Sequence, residues 1–230
     1  MCGRFTLKRP RQVKIQRLDD DEIFPSVPRY NIAPGQDVLA VRQTGEERFV
    51  SNLVWGLVPS WSEQPAGFIN ARAETLETKP SFREAFDERR CLIPADGFYE
   101  WQKLRNDRQP YYFQMKDEAP FWFAGIWDKW QNGAVSINSC AIITTTPNAL
   151  LASIHDRMPV ILSSPDAETW LKEEAKPEEL KGLLVPFSAD EMKSHAVSRD
   201  VNHVKNDTEH LVLPIDPTIN TNLSLFALEY

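Results

Sequence analysis

The sequence predicts a single α+β domain whose centre is an antiparallel sheet or barrel surrounded by short helices. Three observations support this prediction. Strand-like runs follow one another closely, the helical segments are short, and no repeat or low-complexity linker divides the 230 residues. With 42% hydrophobic residues, the chain has enough apolar side chains for a sizeable core. We therefore expect one domain over residues 1–230.

Strands are predicted where short runs of β-branched and aromatic residues are bounded by turn residues. Seven runs fit: Asp37–Arg42, Glu47–Trp55, Cys91–Ala95, Phe98–Lys103, Pro110–Met115, Phe121–Trp127 and Cys140–Thr145. The first two flank Thr44-Gly45, which predicts a hairpin. Residues 57–67 are predicted to form a loop, in which Trp61 is either a packed aromatic or an exposed stacking residue.

Short helices are predicted from the signals at their starts. Val13 and Leu18 are the apolar anchors of a helix over residues 10–18, and Ser81 with Glu84 has capping-box spacing. Three further dipeptides place proline at a first helical position. Thr146-Pro147 predicts a helix through Ala152, Ser164-Pro165 one over Asp166–Glu174, and Lys176-Pro177 one that stops near Gly182.

The charge of the chain is unevenly distributed. The net charge is −7, which argues against nucleic acid as a partner. However, residues 165–191 hold eight acidic side chains and three lysines, so this segment carries −5 and leaves −2 for the rest. A basic face therefore remains compatible with the sequence, and we expect the acidic segment to lie away from it.

The cysteines and the apolar runs bound the cellular setting. The three cysteines, at positions 2, 91 and 140, form no disulfide framework and no CxxC motif, which indicates a reducing compartment. We expect no signal peptide, because charged residues interrupt the chain at 8–11, and no run of 18 apolar residues predicts a membrane span. No Cys/His pair has metal-ligand spacing. We expect a soluble cytoplasmic monomer without a metal or an organic cofactor.

Cys2 stands at a position where it can become the first residue. Removal of Met1 would leave an amine and a thiol two carbons apart. The pKa of an α-amino group is about 7.7–8.0, so part of it is neutral near pH 7. The thiol, with a pKa of about 8.5, is a second nucleophile. An aldehyde can form an imine with the nitrogen and then accept the sulfur, closing a thiazolidine. The alternative is that Cys2 is a small buried apolar residue.

Two other residues have the chemistry for proton transfer. Glu100 lies between Tyr99 and Trp101 in a predicted strand, so burial would raise its pKa and suit it to acid–base catalysis. Its alternative is a solvated position on an edge strand. His155 titrates near neutrality and has Asp156 beside it. A structural histidine is the alternative there.

Polar residues that suit binding occur in two other stretches. The amide of Asn70 can hold an amine or a carbonyl. Arg72 would share its face in an extended chain and could bind phosphate. A turn asparagine beside a surface arginine is equally compatible. The second stretch is polar and basic and fits either a phosphate backbone or a solvated loop; it contains Ser198, Arg199, Asn202, Lys205 and Asn206.

Taken together, seven stretches resemble the SOS response-associated peptidase (SRAP) family. In chain order they are MCGRF (1–5), RYNIAPG (29–35), WGLVP (55–59), INARAET (69–75), RCLIPADGFYEW (90–101), IHDRMP (154–159), and Val197-Ser198 with Val201-Asn202. They span residues 2 to about 206, while residues 213–230 lie beyond the match. The coincidence of all seven in order is far more specific than any one motif.

The resemblance implies a SRAP-like fold centred on a β-barrel-like sheet. It also implies a DNA-damage response protein that senses abasic sites in single-stranded DNA. In this family's pattern Cys2 crosslinks to the abasic aldehyde, Asn70 orients the amine, and Glu100 and His155 handle protons. The residues it implies for DNA contact are Arg4, Asn31, Pro34, Trp61, Arg72, Arg157, Ser198, Arg199 and Lys205.

The resemblance further implies removal of Met1, by autoproteolysis or an aminopeptidase, and weak abasic-site lyase activity. Neither a metal nor an organic cofactor is implied. Two other functions stay open on the sequence alone. One is a thiol peptidase acting on other proteins, and the other is a noncatalytic module that binds single-stranded DNA.

Overall fold

The chain forms two sheets, with helices short enough to serve mainly as connections. The computed structural model describes residues 2–14, 27–105 and 107–217. The strands are β1 (Arg4–Leu7), β2 (Arg29–Ile32), β3 (Asp37–Thr44), β4 (Glu47–Trp55), β5 (Asn70–Arg72), β6 (Arg90–Ala95), β7 (Gly97–Lys103), β8 (Arg108–Met115), β9 (Phe121–Asn132), β10 (Val135–Thr145), β11 (Met158–Pro159), β12 (Ile161–Leu162) and β13 (Met192–Ala196). The α-helices are α1 (Arg83–Glu88), α2 (Ser164–Leu171) and α3 (Pro177–Gly182), and 3-10 turns occupy Pro10–Gln12, Ala73–Thr75, Ala189–Glu191, Arg199–Asn202 and Glu209–Val212.

Five strands close into a barrel. β10 pairs with β4, β4 with β3, β3 with β6, β6 with β9, and β9 again with β10. The pairs are antiparallel except for β4 with β10, and the short β5 also runs parallel to β10. Closure removes the exposed edges that an open sheet would present. The predicted α+β fold with a barrel-like antiparallel centre is confirmed.

The second sheet packs against the barrel and carries the amino-terminal strand. Its order is β13-β8-β7-β1-β2, and every pair is antiparallel. Edge-to-face aromatic contacts join it to the barrel: the ring of Phe5 lies 5.2 Å from that of Trp55 and 5.6 Å from that of Phe123. On the opposite face, Tyr99 and Tyr112 belong to a smaller buried cluster. The central strand β7 is therefore covered on both faces.

The predicted strands are confirmed, as is the hairpin of β3 and β4. Six strands were not predicted, namely β1, β2, β5, β11, β12 and β13. The unpredicted strands are at most five residues long, and their residues acquire strand pairing from distant parts of the chain. β13, for example, pairs with β8 about 80 residues away in sequence. Such short segments carry too little periodicity to be recognised locally.

The helix predictions are correct in part. α3 begins and ends where predicted, whereas α2 is capped by Ser163 and ends at Leu171, short of Glu174. α1 begins at Arg83, but no side chain caps it, so the capping box is not formed. Of the helix predicted over 10–18, only the 3-10 turn Pro10–Gln12 forms, and residues 15–18 lie outside the described ranges.

The helix predicted after Thr146-Pro147 is wrong, because residues 149–154 form turns instead. Asn148 explains the difference. Its side-chain oxygen accepts the N–H of Leu151, and its amide nitrogen donates to the carbonyl of Phe187. The side chain thus competes with regular helix bonding and ties the segment to a distant loop. The turns end at His155, whose N–H bonds to the carbonyl of Leu151.

A loop over residues 57–67 leaves the barrel and returns to it through a narrow neck. Two backbone hydrogen bonds join Leu57 and Phe68, at 2.9 and 2.8 Å. A Cβ on Gly67 would lie 2.5 Å from the carbonyl oxygen of Gly56, so the neck requires glycine there. Further along the loop, the N–H of Ser60 donates to the Asp128 carboxylate at 2.8 Å.

No helix within the described ranges is long and apolar enough to cross a membrane. Among the same residues, no cluster of three His, Cys, Asp or Glu side chains is arranged to hold a metal ion.

Candidate active site

Cys2 lies two residues before the start of β1 and is fully buried. The amide nitrogen of Asn70 donates to its carbonyl oxygen at 2.9 Å. Burial, reinforced by the negative charge of Glu100, raises the pKa of the Cys2 thiol well above its ordinary value. The sulfur is therefore held as a neutral thiol at neutral pH.

Glu100 occupies the central strand β7 and is only 1% exposed. It lies on the same face as Phe98, whose ring packs against that of Phe123 in the barrel. Burial raises the pKa of Glu100 to about 7. A solvated glutamate on an edge strand is thus excluded, and the carboxyl group can gain or lose a proton near neutrality.

His155 faces Glu100 from the end of the turns that follow β10. Its Nε2 lies 3.9 Å from Oε2 of Glu100. Its Nδ1 lies 3.0 Å from the backbone nitrogen of Arg157 and 3.1 Å from the Asp156 carboxylate, so this nitrogen contacts both a donor and an acceptor. Burial lowers the pKa of His155 below its ordinary value. The two groups therefore form a candidate acid–base pair, in which Glu100 can gain or lose a proton near pH 7 and burial favours the neutral form of His155.

Asn70 is placed by β5, which lies parallel to β10 with Asn70 opposite Ile142. Its amide nitrogen is used on Cys2, as described. Its side-chain oxygen is buried and, among the described residues, has no hydrogen-bond partner. Arg72 follows on the same face of the strand and is exposed. This extended geometry replaces the turn that was the alternative.

The four residues predicted to be catalytic thus converge from four separate segments. Asn70 touches Cys2, His155 faces Glu100, and the charge of Glu100 acts on the Cys2 thiol. Local sequence could not reveal this convergence, since 153 residues separate the first and last of them.

Several side chains predicted to contact DNA are exposed. The side chain of Trp61 is 61% exposed on its loop, so it is not the packed aromatic that was the alternative. Pro34, Arg72 and Lys205 are exposed as well. Ser198 is half-buried, and its hydroxyl accepts the N–H of Asp200 at the start of a 3-10 turn.

Other predicted contacts hold the protein itself together. Asn31 is fully buried, and its amide nitrogen donates to the carbonyls of Val201, His203 and Asn206. A direct contact between Asn31 and DNA does not fit this burial. Arg4 donates to Asn31 Oδ1 at 2.9 Å and to the carbonyl of Val201. Its guanidinium therefore ties the start of the chain to residues 201–202.

The remaining predicted arginines are engaged in ion pairs. Arg157 makes a bidentate pair with Glu74, at 2.6 and 2.9 Å, and also donates to the carbonyl of Thr144. Thr144 is the strand partner of Arg72, so the two arginines are neighbours on the Asn70 side of the site. Arg199 pairs with Asp107 at 2.6 Å.

The acidic segment 165–191 packs on the outside of the barrel. Glu168 pairs with Arg48 of β4, and Glu173 accepts the N–H of Gly45 in the β3–β4 turn. Trp170 donates its indole N–H to the carbonyl of Cys91 on β6. Part of the negative charge of segment 165–191 is therefore engaged in contacts within the protein.

Sequence reasoning missed residues that support the site. The carboxylate of Asp207 accepts the backbone N–H groups of Tyr30 and Asn31 and pairs with Arg29. Nothing in the sequence around Asp207 indicates this role. Glu74 was also missed as the partner of Arg157, although its place in the INARAET stretch gave a signal.

Comparison with known proteins gives one consistent result. The family model described as SOS response associated peptidase (SRAP) matches residues 1–204. The abasic site processing protein YoaM of Bacillus subtilis is 42% identical over 221 residues, covering 92% of this chain and 97% of YoaM. The abasic site processing protein YedK of Escherichia coli is 31% identical over 224 residues, covering 94% of this chain and 100% of YedK.

A solved structure agrees. The crystal structure of a Bacteroides thetaiotaomicron protein matches with a TM-score of 0.77 at 26% identity, covering 93% of this chain and 100% of that one. The sequence motifs, the barrel with its second sheet and the extent of these matches lead to one conclusion. The chain belongs to the SOS response-associated peptidase (SRAP) family.

Proposed function

We propose that this protein processes abasic sites in DNA by forming a covalent link between Cys2 and the ring-opened aldehyde of the abasic sugar in single-stranded DNA. The names of its relatives support the substrate. The observation that carries the chemistry is the buried Glu100, with a pKa raised to about 7, acting beside Cys2 and His155. This arrangement suits reversible proton transfer during attack on an aldehyde.

The first step is the release of the amine. The nitrogen of Cys2 is in a peptide bond with Met1, so Met1 must leave, by autoproteolysis or through an aminopeptidase. Asn70 already holds the Cys2 carbonyl at 2.9 Å. Its unpartnered Oδ1 is an acceptor that can bind the freed amine and so direct its lone pair.

The second step makes the imine. The protonated form of His155 donates a proton to the sugar ring oxygen while the hydroxyl on the anomeric carbon loses its proton to solvent, which opens the ring to the aldehyde. Glu100 takes a proton from the ammonium form of the Cys2 amine. Nitrogen attack on the aldehyde carbon gives a carbinolamine, and loss of one water gives the imine. The thiol then adds across the C=N bond, with sulfur bonding to carbon and the proton going to nitrogen, and the thiazolidine closes.

The imine has a second fate. It acidifies the neighbouring C–H of the opened sugar, so β-elimination of the 3′ phosphate can occur before sulfur adds. Weak lyase activity should therefore accompany crosslinking, and a variant that lacks the thiol should show more strand cleavage relative to stable adduct.

The geometry favours this chemistry over general peptide hydrolysis. A thiol peptidase needs a thiolate paired with histidine. Here burial raises the pKa of the Cys2 thiol, and the Nε2 of His155 faces Glu100. Cleavage of the Met1-Cys2 bond alone is compatible with this site, whereas repeated cleavage of unrelated proteins is not.

The deciding experiment uses a single-stranded oligonucleotide with one abasic site. The protein is mixed with it, denatured, and weighed by intact mass spectrometry. We expect an adduct equal to protein without Met1, plus oligonucleotide, minus one water. Cys2→Ala should lose the stable adduct. Cys140→Ala, which removes another buried thiol, is the matched control.

Three results would count against the proposal. Equal crosslinking by Cys2→Ala would exclude the thiazolidine. Repeated turnover on casein that depends on Cys2 would indicate a peptidase. DNA binding that never survives denaturation, in protein shown by mass to lack Met1, would indicate a noncatalytic module.

A further inference from the structure

The turn end of the β7–β8 hairpin borders an open cavity of about 620 Å³. Arginine and lysine side chains dominate its lining, together with the ring of Trp101. We call this the hairpin pocket, and its basic members are Arg4, Lys103, Arg105 and Arg108. Three of the four come from the hairpin itself and were not among the residues predicted to contact DNA.

The positive charge of the pocket is poorly balanced. Lys103 and Arg108 are directly opposite each other in the β7–β8 ladder. Like charges in that position lower the stability of a sheet. Within the described ranges, no ion pair neutralises Lys103, Arg105 or Arg108. The nearby carboxylate of Asp107 is already paired with Arg199 at 2.6 Å. An anion bound between Lys103 and Arg108 would offset the repulsion between these two side chains.

The pocket also lies next to the acid–base pair. Arg4 is two residues from Cys2, and Trp101 directly follows Glu100. Gln102 donates to the carbonyl of Ser153 at 3.4 Å, which links the hairpin to the segment that ends at His155. The pKa of His155 is lowered by burial first and also by nearby positive charge that includes Arg108. The pocket and the reacting groups are thus electrostatic neighbours.

We propose that the hairpin pocket binds backbone phosphates of the single-stranded DNA segment adjoining the abasic nucleotide, with Lys103 and Arg108 as the principal contacts. This inference rests on the proposed function for the identity of the ligand. A phosphodiester anion between Lys103 and Arg108 relieves their repulsion and forms charge-assisted hydrogen bonds with both. The contact positions the strand and carries no sequence information.

The test measures binding of an undamaged single-stranded oligonucleotide by fluorescence anisotropy between 50 and 200 mM salt. The variant combines Lys103→Gln with Arg108→Gln. Lys116→Gln is the matched control, because Lys116 is exposed and follows β8 at its opposite end. Each phosphate contact in single strands contributes about 0.7 to the slope of log affinity against log salt. The slope of the double variant should therefore be shallower by about 1.4. The ratio of wild-type affinity to variant affinity should then fall about sevenfold between 50 and 200 mM salt.

A second readout separates binding from a structural role. Removing two opposed cations should leave the melting temperature unchanged or higher, whereas a structural role would lower it. A slope equal to that of wild type and Lys116→Gln would overturn the proposal. So would a lower melting temperature that accounts for the lost affinity. The binding assay uses undamaged DNA, so it is independent of the crosslinking assay on abasic DNA. If the wild-type protein failed to crosslink, the proposed function would be wrong, but the salt dependence of binding would still test the pocket.

Discussion

Replacing Glu100 with glutamine should make the protein more stable and less active. Burial holds the pKa of Glu100 at about 7, against an ordinary value of 4.5. The folded state therefore keeps a proton that the unfolded state has already lost between these pH values. Stability falls as pH rises from about 4.5 to about 7 and is level above that. The full effect corresponds to about 3 kcal/mol, because one pKa unit is about 1.36 kcal/mol.

Glu100→Gln removes the ionisation and nearly preserves the shape. At pH 8 we expect it to raise the melting temperature by about 6–12 °C, since a domain of this size shifts about 2–4 °C per kcal/mol. At pH 4.5 the two proteins should melt together. The wild-type crosslinking rate should pass through a maximum below about pH 7, because Glu100 must be ionised and His155, whose pKa is lowered by burial, must be protonated. The variant should be about 10²–10⁴-fold slower.

The assay pairs thermal melts from pH 4.5 to 8 with crosslinking rates on the same samples. Glu46→Gln, at an exposed turn, is the control and should match wild type in both. A variant that is less stable at pH 8 would contradict the burial argument. A variant that crosslinks at the wild-type rate would remove Glu100 from the mechanism.

Three other perturbations test the site and its supports. His155→Ala should slow crosslinking by about 10²–10⁴-fold while DNA binding persists, and a substrate held as an open aldehyde should partly restore the rate; no rescue would mean that ring opening is not its role. Arg72→Ala should weaken DNA binding more at low salt than at high salt. Trp61→Ala should weaken binding by about 1–3 kcal/mol with little dependence on salt. Identical salt dependence for the two variants would contradict this distinction. Gly67→Ala should lower the free energy of unfolding by about 1–3 kcal/mol in denaturant melts, because its Cβ would lie 2.5 Å from the Gly56 carbonyl oxygen. An unchanged denaturation midpoint would show that the backbone at the neck can move to accept the methyl group.

The barrel strands were predictable because each contains several apolar, aromatic or β-branched residues close together. β6, for instance, is buried at all six positions. The short strands β1, β2 and β13 were not predictable, since they exist only where a distant strand pairs with them. The failed helix after Pro147 has a different cause. There the side chain of Asn148 shares the N–H of Leu151 with the backbone carbonyl and ties the segment to Phe187, and no periodicity rule accounts for that.

For the site, residue chemistry and family resemblance both selected the same four residues. Chemistry alone could not decide whether Glu100 was solvated or buried, because that depends on β7 being central in its sheet. Nor could it decide which cations are committed to the fold. Arg4 and Arg157 resembled Arg72 in sequence, yet they bond to protein carbonyls and a carboxylate, while Arg72 remains exposed.

The hydrogen bonds of Arg4 can form only late in the synthesis of the chain. Its guanidinium reaches the carbonyls of Val201 and Asn202, which are 197 and 198 residues further along the chain. At about 5–20 residues per second, a ribosome needs about 10–40 s to cover that distance. Cys2 is thus synthesised long before the segment that completes its surroundings. A nascent chain halted at Arg199 would already contain Cys2, Glu100 and His155, yet it would lack the segment that secures β1.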